Sequence, residues 1–338
     1  MGRKVTARDV AKAAGVSPAT VDRVLNTRGG VRPDKEAAVI EAARRLGLDR
    51  ALQFKAARTL KIAVLLQAPQ NPFHAAVQAA FSAAGRTHAD LNMQFRIFHA
   101  APTDVVGMAA RIAALARSHD GLILTCPDAG PIVDAVNAAA GRVPVITFAT
   151  DLPESARHVY VGPDDVMAGR LAGDLMGRFL PESGGEVVLI AGVRSMTGQR
   201  RREAGFGAVL AERYPRLTLG AVLECEEDAA KVAWLVRRAL AEMPGLRGIY
   251  NASVGSREVV AALKAAGSAR KVVFITHELT QDRQRLLREG AIDAIIDQNP
   301  AFAVHTAVLT MARLLGRGTA EPLAPITPVN IHMIENAG

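Results

Sequence analysis

Cysteine is scarce in this chain: two occur in 338 residues, Cys126 and Cys225. They lie far apart, each in an apolar stretch that reads as a strand, so no CxxC spacing for a zinc site exists and both read as buried free thiols. Long apolar runs are missing too. No stretch approaches the roughly 20 residues that span a bilayer. Arg3, Lys4, Arg8 and Asp9 break the N-terminus where a signal peptide would be apolar. A soluble, cytoplasmic protein with no membrane partner is therefore expected. Phosphate loops are absent as well: the first strand-like run leads into APQNPF, without GxGxxG or GxxxxGK. That argues against a dinucleotide-dependent dehydrogenase and against a P-loop enzyme. No HExxH and no Ser-His-Asp order emerges, and the eight histidines are scattered. Neither an enzyme nor a cofactor or metal is expected.

What the chain does have is positive charge, unevenly placed. The net charge is +8, and residues 1–61 hold 14 Lys and Arg against 6 Asp and Glu, an excess of eight. The remainder is balanced, 27 against 27. A solvated basic tail would explain the charge alone, but not the helical pattern that accompanies it. Basic charge on a small folded module favours a polyanion, because neutralising phosphates releases counterions.

Three helix signals follow in close succession. Thr6 and Asp9 have the spacing of an N-cap and its N3 partner, ahead of an apolar face of Val10, Ala11 and Ala14. Gly15 breaks this helix, and Val16 plugs the space after it. Ser17 caps a second helix with Pro18 at its first position and Val21, Val24 and Leu25 facing inward. So short a turn forces a steep crossing, which is a helix-turn-helix. A third helix begins near Pro33 and presents Val39, Ile40, Ala43 and Leu46. A three-helix bundle without a DNA role is the plain alternative. On the DNA-binding reading, Pro18, Ala19, Thr20 and Arg23 open the second helix toward the major groove: Arg23 for guanine or phosphate, Thr20 for phosphate, Ala19 for a thymine methyl. Thr6, Ser17, Arg28 and Arg32 complete the candidate contacts.

The order T-x-x-D-V-A-x-x-A-G-V-S-x-x-T-V-x-R-V-L-N resembles the DNA-binding headpiece of the LacI/GalR family of bacterial repressors. Asp22 departs from the family's usual Ser, and it is expected to fold back onto Arg23 or Arg8. Arg32 replaces the Ser that usually caps the third helix, trading a cap worth about 1 kcal/mol for a phosphate contact. The resemblance implies a hinge helix with a P-x-x-x-A-R-x-L motif, but LGLDRALQFKAARTLKI lacks it and is about three residues shorter. Leu52 or Phe54 is left as a minor-groove wedge, with packing against the following domain as the preferred alternative.

From Ile62 onward, short apolar runs alternate with amphipathic stretches: IAVLLQ, QFRIFHA, GLILTC, VPVITFA, EVVLIAG, GAVLEC, GIYNA, VVFITH and AIDAIID. That rhythm predicts parallel α/β sheets with sites at the carboxyl ends of strands. Polar and aromatic residues recur there: Asn71, Phe73, His74, Arg200, Asn251, Ser253, Glu278 and Gln298. Singly each is ordinary loop polarity; together they suit a hydroxylated ligand, with an aromatic ring for its C–H side. Residues 60–332 resemble the periplasmic sugar-binding proteins of the ribose-binding type and the matching regulator domains, through NPFHAAVQAAF, PVITFATD, VGPDDVMAGRLAGDLM, QRRREAGF, FITHELT and DQNP. The resemblance places Asn71, Phe73, His74, Arg200, Glu278 and Gln298 at ligand-contacting positions. Glu278 stands for the usual Asp, His74 for an aromatic, and Ala149-Thr150 for an Asp-Arg pair, with Asp151 expected to compensate. A different polyol or a modified sugar is expected in place of a ribose-like aldose.

The expected fold is a small all-α helix-turn-helix domain followed by an α/β two-lobed periplasmic-binding-protein-like domain with parallel sheets. The headpiece takes residues 1–48, an atypical linker 49–61, and the ligand-binding and dimerisation domain 62–338. The expected function is a transcriptional repressor, a homodimer or tetramer on a double-stranded DNA operator, controlled by a sugar or polyol effector. Two other readings remain at this point: a soluble sugar-binding protein without a DNA role, whose behaviour would be insensitive to salt, and an α/β enzyme.

Overall fold

The computed structural model describes residues 5–26, 30–48, 58–180, 182–269, 271–317 and 324–337. Its first helix, α1 (Ala7–Ala14), begins on a complete capping box. The Thr6 N–H donates to the Asp9 carboxylate at 2.9 Å, and the Asp9 N–H donates to Thr6 Oγ1 at 3.4 Å, so two otherwise orphaned donors are satisfied. Gly15 stops α1 at φ 64°. Ser17 opens α2 (Pro18–Leu25), its Oγ accepting from the Thr20 N–H at 3.1 Å. With α3 (Pro33–Arg45) these helices enclose Val10, Ala11, Val21, Val24, Leu25, Val39, Ala42 and Ala43, while Val16, Ile40 and Leu46 pack partly buried against them. A core this small is marginal alone.

The larger part has two lobes. The first contains β1 (Leu60–Leu66), α4 (Pro72–Thr87), β2 (Met93–His99), α5 (Val105–Ser118), β3 (Gly121–Leu124), α6 (Gly130–Ala140), β4 (Val145–Phe148) and β5 (Val159–Pro163). The second contains α7 (Asp165–Phe179), β6 (Gly185–Ala191), α8 (Thr197–Arg213), β7 (Leu217–Glu224), α9 (Ala229–Glu242), β8 (Leu246–Asn251), α10 (Ser256–Ala265), β9 (Val273–His277), α11 (Gln281–Arg288) and β10 (Ala294–Asp297). Helix α12 (Pro300–Leu314) then returns to pack on the first lobe. There β11 (Ile326–Thr327) pairs with β5, before β12 (Asn330–His332) joins β10 antiparallel.

The sheet orders are β11-β5-β4-β3-β1-β2 and β12-β10-β9-β8-β6-β7. In each lobe the chain direction across the sheet reverses beside the first strand, β1 or β6, and a crevice opens at the carboxyl ends there. The chain crosses between lobes three times: after Pro163, after Asp297, and between Thr327 and Asn330. These crossings place Asp165 and Gln298 at the hinge. Nine apolar runs predicted β1–β4 and β6–β10. Strand β5 was not among them, because VYVGP offers too few apolar residues to stand out, and β11 and β12 are two and three residues long.

One packing detail sets the geometry of the second lobe. Gly169, Gly173 and Gly177 recur every fourth residue and so share one face of α7. A Cβ at Gly169 would lie 2.1 Å from the Arg202 carbonyl oxygen, and one at Gly173 2.3 Å from Val209 Cγ1. Reciprocally, a Cβ at Gly205 on α8 would lie 2.1 Å from the Val166 carbonyl. The two helices are therefore in backbone contact, which only glycine permits. Cys126 and Cys225 are free and buried.

Candidate functional site

At the head of the chain, Pro18, Ala19 and Arg23 lie exposed on α2, with Thr20 half-buried beside them. Thr6 and Ser17 are exposed at the starts of α1 and α2, and both hydroxyls serve as caps. The Asp22 carboxylate accepts from Asn26 Nδ2 at 2.6 Å, one turn further along α2. Arg32 grips Asp34 with Nε at 3.1 Å and Nη2 at 3.0 Å, so an intrahelical carboxylate holds the group expected to meet phosphate. Loss of solvation opposes ionisation of Asp34, but the hydrogen bond and charge of Arg32, together with backbone hydrogen bonds, outweigh it and hold that carboxyl below the usual range. Arg28, Leu52 and Phe54 lie outside the described residues.

Between the lobes lies a cavity of about 60 Å³ at the carboxyl ends of the strands. From the first lobe, Gln67, Asn71, Phe73 and His74 follow β1, Thr125 follows β3, and Ala149 and Thr150 follow β4. The second lobe supplies Gln199 and Arg202 from α8, Glu227 beyond β7, Ser253 beyond β8, His277 and Glu278 at β9, and Arg283 from α11. Gln298, on a crossing, closes the wall.

Of the residues anticipated from sequence, Asn71, Phe73, His74, Ser253, Glu278 and Gln298 are brought together here. Three are not. Asp151 is buried, but its oxygens are spent on Thr147 Oγ1 at 3.0 Å, the Leu152 N–H at 2.8 Å and Arg157 Nη2 at 2.8 Å. Asn251 bonds within its own loop, Nδ2 to the Val254 carbonyl at 2.8 Å and Oδ1 from the Ser253 N–H at 2.9 Å, so it positions Ser253. Arg200 points to the rim, where Nη2 meets Asp128 of the first lobe at 2.7 Å and Nη1 meets the Arg194 carbonyl at 3.0 Å. Two residues along a helix is a rotation of about 200°, so Arg202 faces the cavity that Arg200 does not. Gln67, Thr125, Thr150, Gln199, Arg202, Glu227, His277 and Arg283 were not anticipated as site residues; of these, Gln199 and Arg202 lie within the quoted QRRREAGF, His277 within FITHELT, Thr150 within PVITFATD, Gln67 within IAVLLQ and Thr125 within GLILTC.

The wall is a connected polar network. Arg202 Nε donates to Asp165 at 2.8 Å and Nη2 to Gln298 Oε1 at 2.9 Å, and Gln298 Nε2 donates to Glu278 Oε1. Burial works against the Arg202 charge, but the charges of Asp165 and its neighbours outweigh it and hold the guanidinium protonated. Arg283 is tied to neutral oxygens, Nε to Ser256 Oγ at 2.8 Å and Nη2 to the Ser253 carbonyl at 2.7 Å. Burial lowers its pKa. Burial, with the Asp297 charge adding to it, pushes Glu278 up to about 7, and burial pushes His74 down to about 4. His277 is likewise held neutral by burial while Nε2 contacts the Tyr250 hydroxyl at 2.6 Å.

Three polar atoms of this wall have no hydrogen-bond partner among the described residues: Glu278 Oε2, His74 Nδ1 and His277 Nδ1. A buried, unpaired acceptor costs about 1–3 kcal/mol. Glu278 also adopts φ 64° and Ala149 φ 60°, conformations that cost of order 1–3 kcal/mol each for non-glycine residues and concentrate at ligand clamps. The arrangement can accept and orient hydroxyl groups.

Sequence signatures of known families agree with this geometry. That of the bacterial regulatory proteins of the lacI family matches residues 6–49, and that of the periplasmic binding protein domain matches residues 62–319. A D-ribose/D-allose-binding protein of Pseudomonas aeruginosa is 25% identical over 274 residues, 77% of this chain and 84% of that protein. The ribose import binding protein RbsB of Haemophilus influenzae is 24% identical over 209 residues, 61% of this chain and 70% of that one. Among solved structures, a solute binding protein from Burkholderia graminis in complex with D-arabinose superposes with a TM-score of 0.75 at 23% identity, covering 83% of this chain and 97% of the other. The fold of the two lobes is that of these binding proteins.

Proposed function

The chain belongs to the LacI/GalR family of bacterial regulators, and from that premise we propose that it is a cytoplasmic, homodimeric repressor released from or tightened on its operator by a small sugar or polyol. The family membership accounts for DNA binding by the helix-turn-helix and for a sugar-binding type of domain behind it. The effector reading is carried by one observation: the inter-lobe cavity presents the buried atoms Glu278 Oε2, His74 Nδ1 and His277 Nδ1 without partners among the described residues. Hydroxyl groups satisfy such atoms, and relatives named for ribose and allose support the class. Glu278 takes a ligand O–H, the Arg202–Gln298 pair orients a neighbouring oxygen, and Phe73 offers a ring to the C–H face.

Closure of the two lobes about the three crossings changes the surface that each subunit offers its partner, and with it the spacing of paired headpieces over half-sites. Coupling of this kind is typically about 1–3 kcal/mol, enough to change occupancy from several-fold to about a hundredfold. No helix among the described residues is long and apolar enough to cross a membrane. The reading is tested by a thermal-shift screen of sugars and polyols, followed by operator binding with and without the hit. A sugar that raises the melting temperature and shifts operator affinity supports it. If no sugar or polyol stabilises the chain, the effector class is wrong.

A further inference from the structure

Glu227 lies outside every motif that the sequence offered, yet its carboxyl forms part of the cavity wall. It follows Glu226 after β7, and both residues hold left-handed backbone conformations, φ 55° at Glu226 and φ 61° at Glu227. This turns the side chain back over the end of β6. There Oε1 rests on Gly192, where a Cβ would stand 1.9 Å away. Oε2 accepts from Ser253 Oγ at 3.1 Å in its own lobe and from Asn71 Nδ2 at 2.8 Å in the other. The carboxyl is thus held by a strained turn, a glycine seat and a bond from each lobe. Asn71, for its part, gives its amide to Glu227 and its carbonyl oxygen to the Phe73 N–H.

We propose that Glu227 is the end wall that sets the size of the effector: a polyol of aldopentose size fills the cavity, and one further hydroxymethyl group meets the Glu227 carboxyl. The inference rests on the sugar reading above and narrows it. A cavity of about 60 Å³ is small against the about 300–1,000 Å³ of ordinary ligand pockets, so it favours the smallest sugars. The remaining walls come from strand ends, from Phe73 and His74 on α4, Gln199 on α8 and Arg283 on α11, and from the Arg202–Gln298–Glu278 network. Glu227 is a loop side chain of the cavity wall that spans the gap between lobes, so its length bears on where the cavity ends.

The test uses the full chain and four sugar pairs that differ by one hydroxymethyl group: D-ribose and D-allose, D-xylose and D-glucose, D-lyxose and D-mannose, L-arabinose and D-galactose. Affinities are read by calorimetry, with circular dichroism confirming that each variant is folded. At least one pentose should bind more tightly than its hexose by about tenfold or more, the scale on which one carbon discriminates. Glu227→Ala should shrink that ratio to less than about threefold by improving the hexose, whereas Glu227→Gln, of equal volume, should keep it. Gly192→Ala, which drives the carboxyl inward, should weaken the pentose. A hexose bound as tightly as its pentose by the natural chain, or an unchanged ratio in folded Glu227→Ala, overturns the proposal. If none of the eight sugars binds any variant, the aldopentose limit is overturned; the sugar or polyol reading falls only if the thermal-shift screen also finds no ligand.

Discussion

Replacing Arg202 by methionine separates the buried charge network from its neighbours most sharply. The Arg202 and Asp165 side chains are 7% and 3% exposed, so removing the guanidinium strands a carboxylate with almost no water. Breaking one side of such a pair costs about 3–5 kcal/mol, and for a domain of this size that lowers the melting temperature by roughly 6–10 °C. The sign with pH is fixed by the carboxylate. Burial already pushes the Asp165 carboxyl up, and Arg202 is what pulls it down. Without Arg202 its folded pKa rises further above the unfolded value of about 3.9. The penalty is therefore absent below that value and grows as pH rises through the folded pKa. Denaturant unfolding of Arg202→Met should show a larger deficit at pH 8 than at pH 5. The double variant Arg202→Met, Asp165→Leu should recover most of the loss, because both charges have gone. A deficit below about 1 kcal/mol at pH 7, or one equal at the two pH values, would falsify the account of this pair, since an exposed ion pair behaves in that way.

Arg200→Ala should lower stability by no more than about 1 kcal/mol, because its ion pair with Asp128 is 42% and 31% exposed. It should leave the ranking of sugars unchanged, whereas a hundredfold or greater loss of affinity would put that guanidinium on the ligand. The buried Glu278 carboxyl, raised to about 7, contributes stability that is fully present below its unfolded pKa of about 4.3 and is lost as pH rises through the folded value. Urea titrations from pH 5 to pH 8 should show a smaller decline for Glu278→Gln than for the natural chain. Arg23→Ala should weaken operator binding by about 1–3 kcal/mol if the guanidinium reads a base, measured by anisotropy at fixed salt; unchanged affinity removes it from the interface. Gly169→Ala, meeting the Arg202 carbonyl at 2.1 Å, should cost about 1–3 kcal/mol, while Gly85→Ala on α4, where a Cβ meets nothing within 4 Å, should be neutral or stabilising by up to about 1 kcal/mol.

The helix-turn-helix was legible because its signals are local: Thr6 with Asp9, Gly15, and Ser17 with Pro18 each act within one turn of helix. The strand–helix rhythm was equally readable, since buried parallel strands are continuous apolar runs. The site was only partly readable. Asn71, Phe73 and Ser253 follow strands directly, and strand ends can be placed to within a residue or two. On α8 the same uncertainty spans opposite faces, which is how Arg200 stood in for Arg202. Glu227 was invisible because its position depends on two consecutive left-handed residues and on a glycine 35 positions earlier. Asp151 misled because Arg157, the partner that consumes its oxygens, sits in a loop with no periodic signature.

The glycine seam between α7 and α8 has a mechanical consequence. Helices that touch backbone to backbone have no side-chain layer in which to slide, so they act as a welded joint. One end of that joint holds both the crossing after Pro163, through Asp165, and Arg202, which bonds to Gln298 on the second crossing. Torque applied to the Arg202 guanidinium by a ligand is therefore delivered to the interlobe connections with little lost inside the lobe, and the second lobe turns as a rigid lever.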